Sequence, residues 1–129
     1  MNLSPEEKQQ YSRHIILDEI GENGQLKLKK AKVLVIGAGG LSCPILQYLA
    51  AAGVGTIGII DNDLVSQSNL QRQILFRTDD IGKPKVDCAK KTLIGINPHI
   101  KINTYFALTL IIWDYTKSIN GDLNEKNRY

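Results

Sequence analysis

Two apolar runs of the same character, Val33-Leu-Val-Ile36 and Ile57-Gly-Ile-Ile60, stand about two dozen positions apart. Neither alternates with polar residues, which is the pattern of strands covered on both faces in a parallel sheet. We read strands over Lys32 to Ile36 and Thr56 to Ile60. The stretch between them, Leu41 to Ala52, has helical content and stops at Gly53. Strand, helix and strand at that spacing make a βαβ unit. A third strand is predicted from His99 to Tyr105, after a helix from Lys85 to about Gly95 and a turn at Asn97-Pro98. Upstream, Ser4-Pro-Glu-Glu7 writes a helix start: a capping serine, a proline at the first helical position and a glutamate that closes the box. That helix is predicted to run to about Glu19 and stop before Gly21, with a short second helix from Gly24 to Lys30. Tyr11, Ile15, Ile16, Leu17 and Ile20 form no narrow stripe, so its second half is expected to be buried between two surfaces, one open to a partner subunit.

The chain divides into an N-terminal helical segment (1–30), an α/β unit (31–110) and a tail (111–129) where the periodicity fails. Ile111-Ile-Trp-Asp-Tyr115 suits a short strand or helical turn, and Ser118 to Tyr129 reads as a frayed end. The loop from Asn62 to Gly82 is long for a compact domain and polar without repetition, which favours a functional loop.

At 129 residues, 43% hydrophobic and 22% charged, the chain has the composition of a globular domain with a real core. Its net charge of +3 is spread along the chain and gives little support to nucleic-acid binding. No apolar run approaches a membrane span, and the N-terminus does not read as a signal peptide. Cys43 and Cys88 stand far apart with no C-x-x-C, so they predict neither a metal site nor a disulfide framework. They read as two buried free thiols in a reducing cytoplasm.

The candidate chemistry begins where the first strand ends. Gly37-Ala-Gly-Gly40 leads directly into a helix, and such a turn presents backbone N–H groups to an anion. The G-x-G-x-x-G spacing is met at Gly37 and Gly39, with Ser42 at the third position. Asp61 follows the second strand, where a carboxylate accepts from ribose hydroxyls or caps a turn. So far a dinucleotide site fits as well as any. Arg72 and Lys85 change the balance, because a nicotinamide site has no need of them. Lys85 opens a helix, where the dipole disfavours a cation, so an anion in front of it explains it better than solvation does.

These residues match a family. From Leu3 to about Leu110 the chain resembles the ThiF/MoeB/HesA adenylyltransferases of thiamine and molybdopterin biosynthesis, relatives of the ubiquitin-activating enzymes. The matching stretches are Tyr11-Ser-Arg-His-Ile-Ile-Leu17, Gly37-Ala-Gly-Gly-Leu41, Tyr48-Leu-Ala-Ala-Ala-Gly-Val-Gly55, Asp61-Asn-Asp63, Ser68-Asn-Leu-Gln-Arg-Gln73 and Gly82-Lys-Pro-Lys85, with Asn97-Pro98. The resemblance implies a Rossmann-like parallel sheet with flanking helices, here carrying about three strands. It implies ATP and Mg²⁺ as cofactors, and as partner a ubiquitin-like sulfur carrier whose C-terminal Gly-Gly is adenylated. Gly37, Gly39 and Gly40 would line the phosphate turn, Asp61 would hold the ribose, and Asn69, Arg72 and Lys85 would contact phosphates, with Asp63 and Gln73 beside them. Arg13 would reach the ATP site of the other subunit of a homodimer. Family members are longer. Their Mg²⁺-binding aspartate, their C-x-x-C zinc pairs and their later cysteine have no counterpart in this sequence. The expectation is therefore a truncated or frame-disrupted member with a divergent tail from about Ile111. A nucleotide-binding or dimerising module without turnover, and a nicotinamide-dependent oxidoreductase, are the competing functions.

Overall fold

A computed structural model describes residues 1–108; the expectations for Ile111 onward lie outside them. The elements in chain order are α1 (Pro5–Gln10), α2 (Ser12–Ile15), α3 (Gly21–Lys30), β1 (Lys32–Ile36), α4 (Ser42–Ala52), β2 (Thr56–Asp61), two single 3₁₀ turns (Gln67–Asn69 and Thr78–Asp80), α5 (Lys85–Ile96) and β3 (Lys101–Phe106). The three strands are parallel, in the order β1-β2-β3. Both predicted βα units are present, as is the third strand.

Register shows which face holds the core. Val33, Ile57 and Ile102 stand level, as do Val35, Ile59 and Thr104. This side packs on Cys43, Leu46 and Ala50 of α4 and on Val86, Ala89 and Leu93 of α5. Ile57 and Ile59 are fully buried, because β2 is paired on both sides. The other face carries Leu34, Ile36 and Tyr105, which are 51%, 51% and 49% exposed. Among the described residues, then, β1 is an edge strand and one sheet face is half open. Leu41, just before α4, and Ile45 and Tyr48 along it are exposed as well. No helix of the described residues is long and apolar enough to cross a membrane.

The first helix departs from the prediction. Its capping box forms as written, with Ser4 Oγ accepting from the Glu7 N–H at 3.2 Å and Glu7 Oε2 accepting from the Ser4 N–H at 2.7 Å. It ends at Gln10, however, and α2 is a separate single turn. Tyr11 is the break. Its side chain is buried and its hydroxyl accepts from Asn97 Nδ2 at 2.7 Å, so a tertiary site overrides the local preference for continuing the helix. Ile16 and Leu17 stay exposed, and burial between two surfaces is not met within one chain. Helix α3 begins at Gly21, not Gly24, and β3 at Lys101, not His99. The second shift has a local cause: Asn97 Oδ1 accepts from the His99 N–H at 3.0 Å and holds residues 97–99 in a turn.

The N-terminal segment docks on the sheet at the N-terminal ends of its strands through buried polar contacts. Asn97 is fully buried, and its Nδ2 also donates to the Ala50 carbonyl at 2.8 Å. Gln25, fully buried too, donates to the Ala52 carbonyl at 2.8 Å and lies 3.0 Å from His14 Nδ1. Gly55 permits the close approach: a Cβ there would overlap the Lys29 carbonyl oxygen. Glu7 pairs with Lys29 at 2.6 Å. Burial alone would raise the Glu7 carboxyl, but the Lys29 hydrogen bond and charge and the Ser4 N–H outweigh it and hold it below its ordinary 4.5.

Two outcomes are expected. Asn97→Ala strips partners from the Tyr11 hydroxyl and the Ala50 carbonyl and should cost about 2–3 kcal/mol in urea unfolding; a loss below half that would contradict the docking role. Because the Glu7 carboxyl is depressed on folding, its contribution is complete above about 4.5 and is lost as pH falls through the folded value. Glu7→Gln should therefore be less stable than the parent at neutral pH, and the two should converge as pH falls below the folded value. A gap that stays constant across the acid range would refute the linkage.

Candidate functional site

The C-terminal ends of β1 and β2 meet the start of α5, and the predicted site residues gather there. Gly37 leaves β1 with φ +93°, a left-handed conformation that suits glycine, while its N–H donates to the Ile60 carbonyl at 2.7 Å. The turn thus swings over the end of β2 before α4 begins at Ser42.

Asp61 closes this arrangement. Its Oδ2 accepts from the Ala38 N–H at 2.7 Å and its Oδ1 from the Asp63 N–H at 2.7 Å. The turn-capping role weighed for Asp61 in the sequence is therefore real. It does not use up the carboxylate, since each oxygen keeps a second lone pair. Both bonds are charge-assisted and should be stronger than neutral ones.

The long loop is built, not loose. Val65 N–H donates to the Lys83 carbonyl at 2.9 Å and Gly82 N–H to the Val65 carbonyl at 2.8 Å, so its two ends are zipped together. Val65, Leu75 and Phe76 bury themselves against the core. Asn69 caps its own 3₁₀ turn, Oδ1 accepting from the Ser66 N–H at 3.1 Å. Arg72 comes next to the glycine turn. Its Nη1 donates to the Ser68 carbonyl at 3.2 Å, and a Cβ on Gly40 would lie 3.5 Å from its aliphatic stem. Gln73 is buried, and its Oε1 has no hydrogen-bond partner.

Lys85 is 5% exposed. Its N–H donates to the Asp63 carbonyl at 3.0 Å, while its Nζ stands 3.5 Å from Asp63 Oδ2. An ammonium buried this far needs negative charge nearby, and one long contact to an exposed carboxylate leaves it donors to spare.

The fold thus brings Gly37, Gly39, Gly40, Asp61, Asp63, Asn69, Arg72, Gln73 and Lys85 to one end of the sheet. Arg13 is not among them. It is exposed on α2, next to His14 and its contact with Gln25, at the opposite end. The sequence reading missed Asp80, which is buried and accepts from the Arg77 N–H at 2.9 Å, capping the turn that precedes the Lys85 loop. A carboxylate three residues after the segment's first residue was the available signal.

The ThiF family matches residues 11–112. The chain belongs to that family. It is 53% identical over 103 residues to a probable adenylyltransferase/sulfurtransferase, MoeZ, of Mycobacterium tuberculosis, an alignment covering 80% of this chain and 26% of the relative. It is 48% identical over 105 residues to the sulfur carrier protein adenylyltransferase of Thermus thermophilus, covering 81% and 39%. The E. coli MccB structure with ATP superposes with a TM-score of 0.73 at 37% identity, covering 84% of this chain and 33% of that one. PaaA superposes at 0.81 with 37% identity, covering 93% and 39%. The chain spans about a quarter to two-fifths of the length of these relatives. The predicted Rossmann-like architecture is that of the family, and the relatives from Mycobacterium tuberculosis and Thermus thermophilus are named as adenylyltransferases.

Both cysteines of this ThiF-family chain are free and buried, as predicted. Burial pushes both thiols up, and for Cys88 the Asp80 carboxylate pushes further. In the folded protein both should react with an aromatic disulfide reagent more slowly than in urea, by a factor on the order of 100. Labelling of either at the unfolded rate would contradict their burial.

Proposed function

We propose that the chain adenylates the C-terminal Gly-Gly of a ubiquitin-like sulfur-carrier protein, using ATP, in the cytoplasm. One observation carries this: the buried Lys85 ammonium, Arg72 and the Gly37–Gly40 turn converge on one end of the sheet. A triphosphate supplies the charge that Lys85 lacks, and the turn's N–H groups suit a phosphate oxygen. In the reaction, a carboxylate oxygen of the carrier tail attacks the α-phosphorus. The bond from that phosphorus to the bridging oxygen breaks, pyrophosphate leaves with the electron pair, and the tail becomes an acyl-adenylate. Arg72 and Lys85 offset charge as it grows on the phosphoryl oxygens, the largest contribution expected of such groups. Asp61 retains lone pairs for ribose hydroxyls, and Asn69 and Gln73 flank the same loop. Relatives support the reading: one is named for adenylating a sulfur carrier and another was crystallised with ATP.

Mg²⁺ ordinarily accompanies ATP. Among the described residues no group of three or more His, Cys, Asp or Glu could hold a metal. Asp63 faces Lys85, and no further acidic, histidine or cysteine side chain among the described residues joins Asp61 into a ligand set, so these residues do not assemble a site for that ion.

Arg13 fits the homodimer reading. It lies at the far end of its own sheet, so it can serve a phosphate only in a second copy, and the exposed Ile16 and Leu17 beside it suit a subunit contact. The competing reading is a nucleotide-binding module without turnover.

ATP–pyrophosphate exchange with a Gly-Gly-tailed carrier separates the two. Exchange is expected, and Arg72→Ala and Lys85→Ala should each lower it on the order of 100-fold. ATP binding without exchange would establish the module, and undiminished exchange in both variants would overturn the assigned roles.

A further inference from the structure

Asp63 is 64% exposed in its side chain, yet among the described residues it is the one carboxylate the fold places against the buried Lys85 ammonium. Its position is set twice over. Its N–H is held by Asp61 Oδ1, and its carbonyl accepts from the Lys85 N–H. The isolated bridge between Leu64 and Pro84 keeps the two strips of chain side by side. Three links thereby run in series: Ala38 to Asp61, Asp61 to Asp63, and Asp63 to Lys85. The last link is the loosest. At 3.5 Å it is long for a charge-assisted hydrogen bond, and one of its partners is already in water.

Such a pair is asymmetric. Asp63 loses little by turning to solvent, whereas Lys85 can keep its charge in the buried position only with a counter-ion beside it. We infer that Asp63 is a positioning residue: its carboxylate is the placeholder counter-ion that keeps the Lys85 side chain folded into the site until a triphosphate takes its place. This rests on the ATP reading above and adds to it a residue that acts only through Lys85. Without Asp63 the Lys85 side chain swings out, and nucleotide has to bring it back. Once bound, the phosphates hold Lys85 themselves. The loss therefore falls on nucleotide binding and spares the chemical step.

The test has two arms on the full chain. In the first, without nucleotide, Lys85 is acetylated with an N-hydroxysuccinimide ester and followed by peptide mass spectrometry, with exposed Lys90 as internal reference. Lys85 should label much more slowly than Lys90 in the parent, and at a rate within about threefold of it in Asp63→Asn. In the second, exchange kinetics should show KM for ATP raised about five- to tenfold in Asp63→Asn with kcat within twofold. The same substitution made in a Lys85→Met background should change KM by less than twofold, since the two act as one unit. Unchanged Lys85 labelling in Asp63→Asn overturns the inference, as does an equal Asp63→Asn effect in both backgrounds or a loss confined to kcat. Faster labelling in Asp63→Asn together with a parent that neither binds ATP nor exchanges pyrophosphate overturns the ATP reading and leaves the ion pair as architecture.

Discussion

One carboxylate holds the glycine-turn end of this molecule together. Asp61 terminates β2 and accepts at 2.7 Å from both the Ala38 N–H and the Asp63 N–H. The glycine turn has too few side chains to hold its own shape, and backbone freedom is what its residues bring. Tying it to the end of the neighbouring strand converts that freedom into one conformation. The same carboxylate orients the segment that meets Lys85. A single charged group, fixed by a strand, thus sets the turn, the loop after β2 and the opening of α5 in register with one another. Preorganisation of this kind makes donors effective toward developing phosphoryl charge, because little has to move when the charge appears.

The opposite end of the sheet is organised by different means. There the contacts are buried amides and a phenol: Asn97 with Tyr11 and Ala50, Gln25 with His14 and Ala52. Each is directional and costly to leave unpaired, so together they give the N-terminal helices one seat on the sheet. That seat turns α2, with Arg13, away from the chain's own glycine turn. Any use of Arg13 on a phosphate then needs a second copy, and a structural preference at one end of the fold bears on the chemistry at the other.

Much of this was legible before any coordinates. Unbroken apolar runs marked β1 and β2, glycine at Gly53 closed α4, and the Ser4–Glu7 box opened α1 in the predicted way. Asp61, Arg72 and Lys85 were singled out from residue type and spacing. Three things were not legible. Tyr11 breaks the first helix because its partner lies 86 positions away, beyond the reach of any periodicity. β3 starts late because Asn97 spends its side chain on the His99 N–H. Asp63 also fell short of a defined role, since its significance comes from the ammonium that α5 places beside it.

Residue pattern alone marked which segments are strands, where a glycine turn of the anion-binding kind sits, and which side chains are suited to an anion. Those are local properties, written in hydrophobic period, glycine placement and charge. Tertiary structure alone decided which of those side chains share a site. Lys85 and Asp63 are 22 positions apart and Ala38 and Asp61 are 23 apart, and they meet because parallel strands bring their C-terminal ends to one edge. Arg13 matched the family as closely as they did, yet the fold sends it to the other end. Proximity in a parallel sheet follows from strand order and direction, and a linear pattern does not encode either until the strands have paired.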